Sequence, residues 1–336
     1  MGLLRIGVVG AGWVTQYHLP AWQRVEGAKV AAICDPDPAS LALRADTFGI
    51  EGRYASLEAM LANERLDALD IATPRRFHAE NVLTGCSHGL PMLCQKPLGV
   101  DLDQARDVVR KLNGAVPLMV HENWRFRPYY RTLRSWLDEG VLGDLVAARL
   151  DFHSSGMIID PDGQRPALVR QPFFRREPRL LVMEVLIHHL DSLRFLLGEF
   201  DMHLARLARS NNDIIGEDSA TLSLTRREDG LPLTVSGNLA VHGAPQAPSD
   251  QLYLWGSKGT IHLDGTVLRL SGPQPREVRF DPVESYQAAY DGAISHFVAA
   301  LRSGGKFETD ALDNLNTLVL VEAAYRISGF KPAGAI

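Results

Sequence analysis

A helical stretch in the middle of the chain carries three ionisable side chains on one otherwise apolar face. Glu184, His188 and Asp191 are spaced so that they share one side of an α-helix. Burying three such groups costs free energy unless they serve one another or a ligand. A histidine can take a proton at neutral pH, so the pattern indicates a general base with carboxylates that orient it. A purely structural polar stripe is the alternative interpretation.

A glycine-rich turn near the N-terminus is the second candidate. Gly10 and Gly12 follow a short apolar run and precede a helical pattern. Glycines at these places let the main chain approach a pyrophosphate, whose charge is favoured by a helix N-terminus. Thr15 stands where the full fingerprint has glycine or alanine, so the motif is incomplete. A simple glycine turn without a nucleotide is the alternative.

Asp35 strengthens the nucleotide interpretation because it ends the next apolar run. A carboxylate in that place accepts hydrogen bonds from the hydroxyls of the adenosine ribose. It would repel a 2′-phosphate, and the following Pro36, Asp37 and Pro38 provide no arginine or serine for one. The sequence therefore predicts NAD rather than NADP. The alternative is that Asp35 is only a turn residue.

The first part of the chain alternates short apolar runs with helical patterns, which is typical of a parallel sheet with crossover helices. We therefore predict an α/β Rossmann domain that binds NAD over residues 1–122. The patterns indicate strands at 4–9, 30–34, 67–72, 91–94 and 116–120, and helices at about 13–25, 38–48, 77–88 and 103–112.

The order of predicted strands and helices changes after residue 140. Consecutive strand patterns without helices between them predict a large, open, mostly antiparallel sheet. Residues 123–336 should thus form an α+β domain for substrate binding and oligomerisation. The patterns indicate strands at 145–152, 202–209, 218–226, 231–241, 250–256, 259–264 and 266–271, and helices at 181–197, 286–302 and 310–328.

The bulk composition limits the partners. A formal net charge of -5 without runs of like charge argues against a nucleic-acid partner. Cys34, Cys86 and Cys94 show no CxxC spacing, so we expect neither disulfides nor a metal site. No apolar segment approaches the roughly 20 residues of a membrane span. We expect a cytoplasmic protein.

Several of these segments occur in an order that resembles a known family. The glycine turn is followed by Thr73, Pro74 and His78, then by Gln95, Lys96 and Pro97, and finally by Glu184 and His188. In this order the chain resembles the glucose–fructose oxidoreductase / inositol dehydrogenase (Gfo/Idh/MocA) family along its whole length. The resemblance implies an NAD-dependent oxidoreductase, and a homodimer or homotetramer formed through the second domain.

The resemblance also implies roles for individual residues. Lys96 matches the lysine beside the nicotinamide and the reacting oxygen, and His188 matches the motif histidine. Either of these two residues can be the proton acceptor. Glu184 stands where the family has aspartate, and Gln95 where it has glutamate, so a negative charge beside Lys96 is absent. Lys96, His188 and Glu184 are thus the predicted catalytic residues.

Cofactor and substrate contacts are expected at the carboxyl edge of the first sheet. The expected cofactor contacts are Gly10, Gly12, Trp13, Val14, Asp35, Thr73, Pro74, His78, Gln95 and Lys96. The expected substrate contacts are Asn123, Arg125, Arg165, Glu184 and His188. For Arg165, which lies on a loop, a solvated side chain is the alternative.

The resemblance implies a sugar or polyol as the substrate, which is oxidised by hydride transfer to NAD. Residues 95–97 and 121–126 resemble a branch of the family that oxidises an aldose to its lactone, and D-apiose is a candidate substrate. Two other activities remain open. One is an NAD-dependent glycosidase of the same family, and the other is a regulator that binds NAD without catalysis.

Overall fold

A computed structural model describes residues 2–247 and 249–334, and these form two compact units. The first comprises Met1–Arg127 and Tyr286–Leu318, and the second comprises Pro128–Ser285 and Val319–Ile336. The sequence predicts two consecutive domains divided at residue 122, and this division remains a prediction. The units differ from it mainly because Tyr286–Leu318 packs with the N-terminal part of the chain.

The first unit contains a six-stranded sheet in which all neighbouring strands are parallel. The strand order is β3-β2-β1-β4-β5-β6, which is that of a Rossmann fold with its switch point between β1 and β4. The sequence patterns missed β3, which is only three residues long. The strands are β1 (Leu4–Val9), β2 (Ala28–Cys34), β3 (Gly52–Tyr54), β4 (Ala68–Ile71), β5 (Met92–Gln95) and β6 (Leu118–His121).

Most helices of this unit begin at a side chain that binds the first free main-chain N–H groups. Asp37, Ser56 and Asp101 do so for the second, third and fifth helix. The first helix has no such cap. The helices are α1 (Thr15–Arg24), α2 (Pro38–Phe48), α3 (Leu57–Asn63), α4 (His78–Ser87) and α5 (Leu102–Leu112).

The second unit is built on an eight-stranded sheet in the order β14-β13-β12-β11-β7-β10-β9-β8. Its pairs are antiparallel except that β7 and β10 run parallel. The mostly antiparallel sheet is therefore confirmed, and β14 is an addition to the predicted strands. The strands are β7 (Leu145–His153), β8 (Phe200–Ala208), β9 (Ser219–Arg226), β10 (Pro232–Asn238), β11 (Ser249–Gly256), β12 (Thr260–Asp264), β13 (Val267–Ser271) and β14 (Arg276–Arg279).

The helix that carries Glu184 and His188 is less regular than the sequence predicts. Leu181–Leu186 forms a π-helical turn, in which the N–H of Ile187 binds the carbonyl of Val182. The regular helix begins only at Ile187. The predicted single α-helix over 181–197 is therefore wrong in its first part, and π-helical turns are frequent at functional sites. The helices of this part are α6 (Pro128–Asp138), α7 (Pro166–Arg170) and α8 (Ile187–Leu197).

The last two helices, α9 (Pro282–Ser303) and α10 (Ala311–Ser328), each contribute residues to both units. In the first unit, Ile294 and Phe297 of α9 join Ile6, Leu93 and Met119 in a buried apolar cluster. This burial explains why Tyr286–Leu318 belongs to the first unit. Within the described residues no helix has the length and hydropathy needed to cross a membrane.

Candidate active site

The glycine turn after β1 is shaped by one close main-chain approach. Gly10 has a φ of 101°, and a Cβ there would lie 2.9 Å from the carbonyl oxygen of Ala72. Only glycine fits this place without strain. Gly12 differs, because a Cβ built on it would meet no described atom within 4 Å. The requirement at Gly12 is thus for close access to its main chain, which a bound pyrophosphate would use.

The N-terminus of α1 fits an anion. Val14 occupies the cap position and provides no side-chain acceptor for the first N–H groups of the helix. The hydroxyl of the buried Thr15 donates to the carbonyl of Gly12 at 2.6 Å. Thr15 thus stabilises the turn, although it departs from the fingerprint. The N–H groups of Thr15 and Gln16 donate to the carbonyls of Gly12 and Trp13, at 3.2 and 3.3 Å. The positive end of the helix dipole is therefore the feature that suits a pyrophosphate here.

Two predicted cofactor residues flank this turn. The half-buried carboxylate of Asp35 accepts hydrogen bonds from the N–H groups of Ala11 and Asp37, at 2.7 and 2.8 Å. It ties the end of β2 to the turn and keeps further lone pairs for ribose hydroxyls. Trp13 is exposed, whereas Val14 packs against the apolar cluster of the first unit.

The turns after β4 and β5 are joined by a buried histidine. Both ring nitrogens of His78 lie 2.7 Å from carbonyl oxygens, those of Pro97 and Thr73. The direct contact of His78 with the cofactor stays a prediction, and the structure adds that both ring nitrogens serve the two turns. Pro74 is exposed, and Lys96 is half-buried directly after β5. Its peptide bond to Pro97 is cis.

The Gln95 side chain points into the first unit. Its amide nitrogen lies 2.7 Å from Nε2 of His18 and 3.3 Å from Nδ1 of His121. His18 in turn contacts the carboxylate of Asp70. Neither His18 nor Asp70 is among the residues predicted from the sequence. A carboxylate within the apolar run of β4 was the available signal, because buried carboxylates are rare unless they are paired.

Two expected substrate residues follow β6, and the structure separates them. Arg125 is buried, and its guanidinium donates to Asp313 and to the main-chain oxygen of Glu308, both at 3.0 Å. Its substrate contact stays a prediction, and in this structure the charge is paired inside the first unit. Asn123 is also buried, but its Nδ2 has no hydrogen-bond partner among the described residues. Asn123 thus keeps a group that can donate to a substrate hydroxyl.

In the second unit, the π-helical turn is held by one acidic residue. The carboxylate of Glu217 accepts the N–H groups of Leu180 and Val182, at 3.2 and 3.0 Å. Its main-chain oxygen accepts the N–H of Leu181 at 3.1 Å, and the hydroxyl of Tyr325 donates to the carboxylate at 2.5 Å. Glu217 is not among the residues predicted from the sequence.

Glu184 and His188 lie on either side of the junction between the π-helical turn and α8. Glu184 is half-buried, whereas His188 is 9% exposed. Asp191 is fully buried, with Arg194 3.8 Å away, so it belongs to a structural ion pair. The helix thus presents Glu184 and His188 as its two candidate chemical groups.

The neighbouring His189 and the more distant Arg165 have structural partners. His189 is fully buried, and its Nε2 lies 2.8 Å from the carboxylate of Asp250. Arg165 donates to Asp213 at 2.7 Å and to the carbonyl of Met157. The hydrogen bond from Arg165 lowers the pKa of Asp213. The substrate contact of Arg165 stays a prediction, and in this structure the guanidinium binds residues of its own unit.

Two family profiles match the chain. The profile described as oxidoreductase family, NAD-binding Rossmann fold covers residues 4–120, and the GFO/IDH/MocA C-terminal domain covers residues 130–262. The chain belongs to the Gfo/Idh/MocA family of oxidoreductases. This membership confirms the resemblance, the fold class and NAD as the cofactor.

Individual members of the family extend the comparison. D-apiose dehydrogenase of Paraburkholderia graminis is 35% identical over 331 residues, which cover 95% of this chain and 86% of that protein. D-apiose dehydrogenase of Rhizobium rhizogenes is 33% identical, with 96% and 94% covered. An oxidoreductase from Agrobacterium radiobacter, solved with NAD+, L-tartaric acid and magnesium, matches with a TM-score of 0.89 at 33% identity, covering 97% of this chain and 96% of that one.

Proposed function

We propose that the protein oxidises an aldose to its lactone, with D-apiose as the first candidate substrate. The broader prediction, an NAD-dependent dehydrogenase that acts on a sugar or polyol hydroxyl, is confirmed by the family and its curated members. The narrower proposal is supported by the 35% identity to a D-apiose dehydrogenase, which extends over 95% of this chain. A relationship of that extent includes residues of both units.

The proposed chemistry requires the chain to remove one proton. Oxidation of a cyclic aldose takes a hydride from C1 and a proton from its hydroxyl, and bound NAD supplies the hydride acceptor. Lys96 and His188 are the two candidates for the proton acceptor. Whichever of them does not take the proton can polarise the same oxygen. Glu184 orients this pair in the proposal.

The proposed cofactor contacts follow from the geometry of the first unit. The main chain of Gly12, with Trp13 and Val14 after it, is suited to a pyrophosphate because it directly precedes the N-terminus of α1, whose dipole favours negative charge. Asp35 is suited to the adenosine ribose. Thr73, Pro74 and Gln95 remain proposed neighbours of the cofactor, and Asn123 remains a proposed donor to the substrate.

A substrate panel tests this proposal. The purified protein is incubated with NAD or NADP and with D-apiose, other aldoses or myo-inositol, and NADH formation is followed by absorbance. We expect NADH and a lactone from D-apiose, with NAD preferred. Turnover of myo-inositol alone would contradict the aldose proposal. Hydrolysis of a glycoside without net NADH would favour the glycosidase, and NADH binding without any turnover would favour the regulator.

We also propose that the protein is a homodimer or homotetramer. The outward face of the eight-stranded sheet carries Tyr253 with its ring stacked on His262, at a centroid distance of 4.1 Å, and beside Trp255 at 5.5 Å. Leu204 on the same face is half-exposed. Such a surface is suited to a second copy of the chain. Light scattering coupled to gel filtration measures the oligomeric state, and a monomer at micromolar concentration would contradict the proposal.

A cytoplasmic location is the remaining part of the proposal. It is supported by the three free cysteines, because reduced thiols are typical of a reducing compartment. Fractionation of the source cells, with detection of the protein by antibody, tests this location.

A further inference from the structure

A series of buried polar side chains leads to Gln95 in the first unit. The carboxylate of Asp70 lies 2.8 Å from Nδ1 of His18 and accepts the indole N–H of Trp22 at 2.7 Å. The other imidazole nitrogen of His18 lies 2.7 Å from the amide nitrogen of Gln95. Asp70 and His18 are fully buried. Strand β4, helix α1 and the end of β5 are thus connected through one imidazole.

The chemistry of these groups fixes the hydrogens. The Asp70 side chain accepts the indole N–H of Trp22 and faces Nδ1 of His18, so it acts as an acceptor toward both groups. Because a carboxylate only accepts, Nδ1 of His18 carries the hydrogen. The amide nitrogen of Gln95 only donates, and Nε2 of His18 therefore accepts. In this arrangement His18 donates from Nδ1 and accepts at Nε2.

A second imidazole completes the arrangement. The other hydrogen of the Gln95 amide faces Nδ1 of His121 at 3.3 Å. The rings of His18 and His121 stack at a centroid distance of 4.3 Å, so two positive charges there would repel each other. Burial raises the pKa values of the nearby Cys94 and Tyr290 well above their ordinary values. Both stay neutral, so neither adds a negative charge beside the carboxylate of Asp70.

We propose that Asp70 and His18 are positioning residues that hold the amide of Gln95, so that an uncharged side chain precedes Lys96. The proposal rests on the proposed function, because it concerns the surroundings of Lys96. A carboxylate at position 95 would face the accepting nitrogen of His18 and add a second negative charge to the cluster. It would have to draw a proton onto His18 or turn away from it. The pair therefore selects an amide at this position.

A double-mutant cycle tests this coupling. Gln95→Glu adds a carboxylate to the cluster, and Asp70→Asn removes one. We expect Gln95→Glu to move the pH profile of kcat toward alkaline pH by about one unit, because a nearby carboxylate favours protonated forms. Each single substitution lowers kcat/KM by some factor, and independent effects would multiply in the double variant. We expect the double variant with Gln95→Glu and Asp70→Asn to keep a kcat/KM at least about fivefold above that product. Additive losses would overturn the proposal.

The matched control is Gln23→Glu on the exposed side of α1, which should leave the profile unchanged. A shift of the same size in this control would overturn the proposal, since any added carboxylate would then act alike. Thermal unfolding and NADH fluorescence of every variant separate lost folding from lost turnover.

A measurement on the unchanged protein covers the case in which a variant does not fold. Nitrogen-15 NMR of labelled histidines reports tautomers directly. We expect the Nδ1–H form for His18 and the Nε2–H form for His121 at neutral pH. A protonated His18, or the opposite tautomer, would overturn the proposal. If no sugar reduces NAD, the proposed function fails. The tautomers of His18 and His121 still decide whether the Gln95 amide donates to both rings.

Discussion

The carboxylate of Asp35 accepts a hydrogen bond from the main-chain N–H of Ala11 at 2.7 Å. This bond joins the end of β2 to the turn between Gly10 and Gly12, although the residues are far apart in sequence. One side chain thus shapes the pyrophosphate turn and lies where an adenosine ribose is expected. Its replacement should affect both the affinity for the cofactor and the choice between NAD and NADP.

We expect Asp35→Asn to raise the KM for NAD by about 10- to 100-fold, because hydrogen bonds to a charged group contribute about 1.5–3 kcal/mol. The ratio of NADP to NAD turnover should rise, since the repulsion of a 2′-phosphate is removed. Initial rates with each cofactor measure both effects. Asp37→Asn is the matched control, because Asp37 is exposed and caps α2. An unchanged KM in Asp35→Asn would contradict the ribose role.

Lys96→Met and His188→Asn test the catalytic assignment. Each should lower kcat by about 10²- to 10⁴-fold, the usual contribution of general acid–base catalysis. Only the variant that lacks the proton acceptor should also lose the acidic limb of the pH profile of kcat/KM, which identifies the base. The exposed Lys258→Met and His203→Asn are the matched controls. Full activity in both catalytic variants would refute the assignment.

Glu217→Gln should loosen the π-helical turn before α8. An amide has one acceptor oxygen, so one of the N–H groups of Leu180 and Val182 would lose its partner, at a cost of about 1–3 kcal/mol. Urea denaturation measures this loss, and kcat should fall because Glu184 and His188 follow the same turn. The exposed Glu228→Gln is the control. Equal stability of the two variants would argue against the role of Glu217 in holding the π-helical turn.

The destabilisation by Glu217→Gln should also depend on pH. Burial raises the pKa of Glu217 above its ordinary value, so the folded state binds this proton more tightly than the unfolded state. Proton binding by Glu217 therefore stabilises the folded state, and this contribution is complete at pH values below the ordinary pKa of glutamate. It is lost as the pH rises through the raised pKa that Glu217 has in the folded state. The difference in unfolding free energy between wild type and variant should therefore shrink with rising pH. A constant difference would contradict the raised pKa.

The parts of the fold that depend on local patterns were predictable. The Rossmann alternation was visible because each strand is a short apolar run bounded by turn residues, as for Ile71 before Thr73 and Pro74. By contrast, the π-helical turn depends on Glu217, which lies far along the chain. The inward direction of Gln95 likewise depends on His18, a long-range partner. Sequence spacing carries no direct signal of either contact. The prediction of a regular α-helix over 181–197 was therefore wrong for its first residues.

Arg125 illustrates the same limit for the candidate site. Its position after β6 predicted a ligand contact, yet Asp313 from α10 neutralises the guanidinium in the first unit. Only the tertiary packing of the last helices reveals that pairing. Residue types and strand ends thus indicate where a site lies, whereas the partner of each charge decides whether it remains for a ligand.

The last prediction concerns His189, which follows the candidate base. Its Nε2 lies 2.8 Å from Asp250, and that carboxylate also accepts the hydroxyl of Tyr130 at 2.9 Å. Asp250→Ala should destabilise the protein by about 3–5 kcal/mol, because it leaves buried donors without their acceptor. Tyr130→Phe removes one donor only and should cost about 0.5–1.5 kcal/mol. Chemical denaturation measures both losses, with the exposed Asp201→Asn as the control.

The contacts of Asp250 with Tyr130 and His189 should affect turnover and leave cofactor binding unchanged. Asp250, Tyr130 and His189 all belong to the second unit, and His189 is adjacent to His188. We therefore expect Tyr130→Phe to lower kcat while the affinity for NADH, measured by fluorescence titration, stays near that of the wild type. The opposite result, a loss of NADH affinity with kcat unchanged, would show that Tyr130 and Asp250 act on the cofactor. It would contradict their contact with His189 of α8 as the basis of the effect.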